Sequence, residues 1–149
     1  MPKVAVVCGS SSDQNYVDIC CEVLSQMGIQ FDKAVISAHR NPEKIRIFAT
    51  SLREKDYSLV IAMAGMAAHL PGVVASLTTL PVIGVPLPGS ALNGQDALYS
   101  IVQMPAGIPV ATVAIGNAGA KNAAYLAAQI IGLSDIEVRQ NYENYRSSL

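Results

Sequence analysis

Serines, two histidines and one arginine, spread over four loops, are the residues here whose types and spacing can do chemistry. The first group is Gly9-Ser10-Ser11-Ser12-Asp13. Gly9 lets backbone approach a ligand, and three hydroxyls with the backbone N–H groups of a helix start make an anion cradle. Asp13 can cap that helix or accept from a sugar hydroxyl. A plain N-cap loop would use the same residues, and the run is neither a Walker loop nor a G-x-G-x-x-G fingerprint. The second group is Ser37-Ala38-His39-Arg40. Arg40 offers a planar fork suited to phosphate, and His39 is an acid or base for use near neutral pH. A single His-Arg pair is otherwise ordinary surface. The third is Ala64-Gly65-Met66-Ala67-Ala68-His69-Leu70-Pro71-Gly72, whose small residues allow a flat ring to come close. His69 can touch a ligand there or fix the loop. The fourth, Gly89 to Asp96, is long and polar and suits either a cover over a site or a plain exposed connection.

These loops need elements to hold them. Apolar runs of strand length alternate with helical patterns. Val4–Cys8, Phe31–Ile36, Leu59–Ala64, Val82–Val85 and Val110–Ile115 read as strands, the first unbroken and Val-rich like a strand covered on both faces. A helix runs to about Met27 and stops at Gly28. Asn41-Pro42-Glu43 predicts another start, with Asn41 as N-cap, Pro42 first in the helix, and Ile45, Phe48, Ala49 and Leu52 as its buried stripe. Further helices are expected near His69–Leu77, Ala97–Val102 and Ala118–Ile131, and Ser134-x-x-Glu137 reads as a capping box opening a last one. Alternating strand and helix implies a parallel sheet with helices on both faces. Five units in this length fit a three-layer flavodoxin-like α/β domain with an extra C-terminal helix, one domain over 1–149. Ligands in such sheets bind at the carboxyl ends of the strands. Both histidines of the chain fall just after predicted strands, at the same edge as the serine loop.

Composition narrows the classes. Charged residues are 14% and hydrophobic residues 51% of the 149, against roughly 25% charged in an ordinary domain. So few charges favour an oligomer that buries much surface between copies. In the segment 134–149, Val138, Tyr142, Tyr145 and Leu149 lie on one edge; it either folds back on its own sheet or docks on a neighbouring subunit, and the low charge favours the neighbour. Net charge is −1 and the ten Lys and Arg form no basic run, so nucleic acid is not an expected partner. No stretch has the length and apolarity of a membrane span, and the chain opens on a strand-like run rather than a signal peptide. Cys8, Cys20 and Cys21 suggest no disulfide framework, so a cytoplasmic setting and buried thiols are expected. No His/Cys/Asp grouping has metal spacing and no Ser sits in G-x-S-x-G, which disfavours metal and covalent hydrolysis. The residues by themselves lead to a phosphorylated small molecule with a histidine for proton transfer.

Taken in order, Gly9-Ser-Ser-Ser-Asp13, Ser37-Ala-His-Arg40, Ala67-Ala-His-Leu-Pro-Gly72, Tyr99-Ser-Ile-Val-Gln-Met-Pro105, Ala114-Ile-Gly116 and Ala118-Gly119 resemble the signatures of the N5-carboxyaminoimidazole ribonucleotide mutase family, over about Val4 to Gly132. The resemblance implies an isomerase of de novo purine biosynthesis that moves a carboxyl group on an aminoimidazole ribonucleotide. His39 would be its general acid/base. Ser10, Ser12, Asp13, Ser37 and Arg40 would hold the nucleotide, with Ser37 and Arg40 on the phosphate. Ala64, Gly65, Ala68, His69 and Leu70 would line the pocket for the base and the migrating carboxyl. It implies no cofactor and no metal, a homo-octamer, and a link to an ATP-dependent carboxyaminoimidazole ribonucleotide synthase. A direct carboxylase using free carbon dioxide and a non-catalytic flavodoxin-like nucleotide-binding module are the alternatives. Where many members carry Gly-Gly, this chain has Gly65-Met66, and the Met66 side chain is expected to turn away into packing.

Overall fold

The computed structural model describes all of residues 1–149. Five strands, β1 (Lys3–Cys8), β2 (Gln30–Val35), β3 (Leu59–Gly65), β4 (Val82–Leu87) and β5 (Ala111–Thr112), form one parallel sheet in the order β2-β1-β3-β4-β5. This is the flavodoxin-like order anticipated for five alternating units. Between and after the strands run α1 (Gln14–Gln26), α2 (Pro42–Ser51), α3 (Leu70–Leu77), α4 (Gln95–Val102), α5 (Asn117–Ile131) and α6 (Ile136–Ser147).

Side chains that alternate along each strand feed two separate cores. Val4, Val6 and Cys8 of β1, with Leu59, Ile61 and Met63 of β3, face α1, α5 and Val138 of α6. Ala5 and Val7, with Val60, Ala62 and Ala64, face α2, α3 and α4. Ile45 and Ala49 of α2, with Leu52 at its C-cap, make the buried stripe, and Phe48 is half-buried beside them. Cys8, Cys20 and Cys21 are free and buried in the first core, and burial pushes the Cys21 thiol up to about 11. The helix α5 lies close on the sheet because its inner residues are Ala120, Ala123, Ala124, Ala127 and Ala128. At Gly119 the approach excludes any side chain, since a Cβ there would stand 1.6 Å from the Ala114 carbonyl oxygen.

Three sequence expectations change. The fifth strand, expected over Val110–Ile115, shortens to Ala111–Thr112. Val113 N–H still donates to Gly84 O and Gly116 N–H to Pro86 O. Pro86, on the bonding side of β4, has no N–H to return, so the ladder stops. The last helix is capped by Asp135, whose carboxylate accepts from Val138 N–H at 3.0 Å, and not by Ser134. The Ser134 hydroxyl turns back to the Ile131 carbonyl, which assigns it to the closing turn of α5. Asn41 occupies the cap position of α2 with Pro42 first, yet its side chain makes no cap bond. The apolar edge of α6 largely folds back on its own chain. Val138 is buried and Tyr145 stacks on Tyr125 of α5 at 4.4 Å between ring centroids, while Leu149 runs past, exposed. No helix is long and apolar enough to cross a membrane.

Candidate active site

The register of the sheet levels three loops. Cys8 pairs with Val35 on one side and with Met63 on the other. The chain therefore leaves β1, β2 and β3 at similar heights, delivering Ser10, His39 and His69 to one edge.

After β1 the chain turns through a 3-10 turn, Ser11–Asp13, capped by Ser10. The Ser10 hydroxyl accepts from Ser12 N–H at 3.3 Å and is bonded to the Ser12 hydroxyl at 2.9 Å. The buried Cys8 thiol donates to the Ser10 carbonyl at 3.3 Å, tying this loop to the core. Asp13, half-buried, precedes α1 and makes no cap bond with its side chain. Burial pushes its carboxyl above the usual range, against a smaller opposing effect of the Ser10 backbone. A carboxylate kept partly dry with no cation paired to it is suited to accept from a hydroxyl brought by a ligand.

After β2, residues 38–40 form a turn that Asn41 N–H closes on Ser37 O at 2.9 Å, and the Ser37 hydroxyl accepts from Arg40 N–H at 3.2 Å. The two loops enclose a cleft of about 330 Å³ lined by Ser10, Ser11, Ser37, Arg40, Asn41 and Lys44 among others. Neither the Arg40 guanidinium nor the Lys44 ammonium has a carboxylate partner; the ion pairs of the chain are Lys3–Asp32, Lys33–Asp18 and Arg46–Glu43. The cleft thus joins hydroxyls, backbone N–H groups at a helix start, and two uncommitted cations, which is the chemistry of a phosphate site.

The third loop brings the second histidine to the first. His39 Nε2 and His69 Nδ1 are 2.6 Å apart, with the rings edge to face at 83°. One nitrogen must donate and the other accept, so the pair holds one hydrogen between them. Both rings are exposed on their other sides, free for a ligand. The neighbours differ in what they offer. Ala64, Ala68 and Leu70 have their side chains in the second core, so they can meet a ligand only through backbone. Gly65 lies against the Leu87 carbonyl, where an added Cβ would sit at 3.4 Å. Met66 does not pack away as expected. It has φ +55° and is 66% exposed, a conformation that costs an L side chain energy and points it to solvent at the rim of the site.

The structure therefore gathers Ser10, Ser37 and Arg40 in one cleft, keeps Ser12 and Asp13 on the adjoining turn, and joins His39 to His69. The fourth loop is held shut on itself by Ser90, whose hydroxyl donates to Asp96 at 2.8 Å. Ser11, one of the three hydroxyls of the first loop, lines the cleft, and so does Lys44, which sequence reasoning passed over. The signal for Lys44 was its place in the first turn of the helix that Asn41-Pro42 opens, four residues beyond Arg40.

A family model described as AIR carboxylase matches residues 3–149. The chain is 52% identical over 149 residues to the N5-carboxyaminoimidazole ribonucleotide mutase of Saccharolobus solfataricus, covering 100% of this chain and 93% of that protein. It is 49% identical over 146 residues to the Escherichia coli protein of the same name, covering 98% and 86% of the two chains. The crystal structure of Treponema denticola PurE superposes with a TM-score of 0.91 at 32% identity, over 99% of this chain and 91% of that one.

Proposed function

The chain belongs to the AIR carboxylase family, and from that premise we propose that it converts N5-carboxyaminoimidazole ribonucleotide to 4-carboxy-5-aminoimidazole ribonucleotide. It is an isomerase of de novo purine biosynthesis. The observation that carries the site assignment is the His39–His69 pair standing beside the Ser10/Ser37/Arg40 cleft.

The cleft takes the 5′-phosphate, with Arg40 as its planar cation and the Ser10 and Ser37 loops as donors. Asp13, with Ser12 beside it, accepts from the ribose. This leaves the imidazole ring of the substrate over the third loop, between His39 and the backbone of Gly65 and Ala68. The N-carboxyl group is a carbamate. As its C–N bond breaks, His39 donates a proton to the exocyclic nitrogen and carbon dioxide is released into the pocket. The nucleophilic ring carbon then attacks that carbon dioxide, and His39, now a base, takes the proton from the same carbon, restoring the aromatic ring. The imidazole ends as it began. The backbone of Ala64, Ala68 and Leu70, with Gly65, is the close wall that keeps carbon dioxide near the ring carbon in this reading.

Two features support assembly into a homo-oligomer, an octamer by the family resemblance, and the three free, buried cysteines suit a reducing cytoplasm. The charge content is low, and Leu133, Ile136, Met66, Tyr99 and Leu92 are all more than half exposed. Such an assembly would also give Leu149 at the end of α6 a neighbour. An ATP-dependent carboxyaminoimidazole ribonucleotide synthase supplies the carbamate in this reading.

The family description also admits carboxylation of aminoimidazole ribonucleotide by free carbon dioxide. Substrate labelled in its own carboxyl carbon separates the two. Product that retains the label in the presence of unlabelled bicarbonate is the expected result, and complete washout would assign the carboxylase reaction instead.

A further inference from the structure

Among the groups around the cleft, Lys44 is the one that the loops' signatures leave without a task. It is the third residue of α2, inside the turn where the helix macrodipole is positive. A cation there is disfavoured, and it shares the cleft with a second cation, Arg40. The acid that could neutralise it is engaged elsewhere: Glu43, its neighbour in the first turn, holds Arg46 through two bonds of 3.0 and 2.6 Å. Asp13 stands on the turn after β1, where no ion pair joins it to Lys44. Two uncompensated cations, a helix start whose N–H groups lack a side-chain cap, and a cleft lined with serine hydroxyls converge on the same volume. A single anion carrying two negative charges would engage all three at once.

We infer that Lys44 is a second cation for the substrate's phosphate, setting the preference of the cleft for a phosphate monoester dianion over singly charged or uncharged nucleoside analogues. The inference rests on the reading of this cleft as the phosphate subsite. Arg40, held in the turn by Ser37, gives the fixed planar contact. Lys44, on a longer stem from the rigid helix, adds a point charge that follows the phosphate oxygens. Its contribution is to capture and hold substrate, so it acts on KM and leaves the proton transfer at His39 alone.

The test compares Lys44→Ala, Lys44→Arg and Arg40→Ala in the full-length protein. Steady-state kinetics with 4-carboxy-5-aminoimidazole ribonucleotide, run in the reverse direction, are combined with inorganic phosphate as the probe ion. Lys44→Ala is expected to raise KM about five- to tenfold with kcat changed less than twofold. It should also weaken phosphate binding by a similar factor and flatten the dependence of KM on salt. Lys44→Arg should recover most of the loss. Without phosphate the thermal midpoint of Lys44→Ala should not fall, because an unfavourable charge has been removed, whereas its rise on adding phosphate should shrink. If Lys44→Ala keeps KM and phosphate affinity within twofold while Arg40→Ala weakens both, the role of Lys44 is refuted and the phosphate cleft stands. If neither variant changes phosphate binding, the cleft reading itself fails and the inference with it. A Lys44→Ala protein that loses midpoint and kcat together, unrescued by arginine, would place the residue in the helix's stability and overturn the inference.

Discussion

The groove between α5 and α6 encloses about 520 Å³, against about 330 Å³ for the cleft at the strand ends. The larger groove is walled by two helix surfaces, with Ala128, Gln129, Leu133, Tyr142 and Arg146 among its residues. Its charges are spaced along exposed helix, and Arg146 sits over its own neighbour, Tyr142. The smaller cleft draws on loops after two different strands, and the second of these also carries His39 to His69 of the third loop. Volume follows from how two convex helices meet. Chemistry follows from a sheet that fixes loop exits in register, so that short side chains from distant segments face one point. On that ground the proposed function is placed in the smaller cavity, and the groove beside α6 is read as structural surface.

The largest effect expected is at the strand-end site. His39→Asn keeps a side chain of similar reach without a transferable proton, and should lower kcat by about 10²- to 10⁴-fold while nucleotide binding, followed by calorimetry, changes little. A near-normal rate would remove His39 from the chemistry and erase the contrast between the two cavities. Next, Arg40→Ala should weaken nucleotide binding by about 10- to 100-fold, well beyond any loss in His39→Asn. Equal losses in the two variants would contradict separate roles for anion and proton.

A change at the packing seam between α5 and α6, next to the groove, should act on stability instead. Tyr145→Ala removes the ring stacked on Tyr125, a contact of about 0.5–1.5 kcal/mol beyond its buried area. The thermal midpoint should fall by about 3–6 °C, with kcat at saturating substrate within about threefold. A large loss of kcat at unchanged stability would make the α5–α6 seam part of the catalytic apparatus. The smallest effect is expected from Asp13→Asn. Burial raises the folded-state pKa of Asp13, so ionisation there opposes folding, and the opposition is felt at neutral pH and disappears as pH falls through the carboxylate range. The unliganded variant should therefore melt slightly higher at pH 7, with the gap closing towards pH 4. A variant less stable at pH 7 would show that Asp13 serves the fold and not a ligand.

Much of the frame was legible. The Val-rich run of β1, the Gly28 stop at φ +76° and the Pro42 start are local signals, and each stands where the sequence predicts. Met66 was legible only in part. Its cost at positive φ could be read from residue type, but its exposure at the rim of the site depended on what surrounds it. The cap at Asp135 was missed by one position because Ser134 and Asp135 are both good caps, and the choice between them depends on where α5 finishes its last turn.

By itself the sequence determined the order of elements and which loops hold residues able to do chemistry, since periodicity, caps and turns act over a few residues. It identified Ser10, His39, Arg40 and His69 as residue types worth watching. Only the tertiary structure decided that His39 and His69, 30 residues apart, share a hydrogen, and that Lys44 shares a cleft with Ser10. It also decided that β5 ends early, at Thr112 opposite Gly84, short of Pro86. Those outcomes depend on strand register and on contacts between segments far apart in the chain, which local preference does not encode.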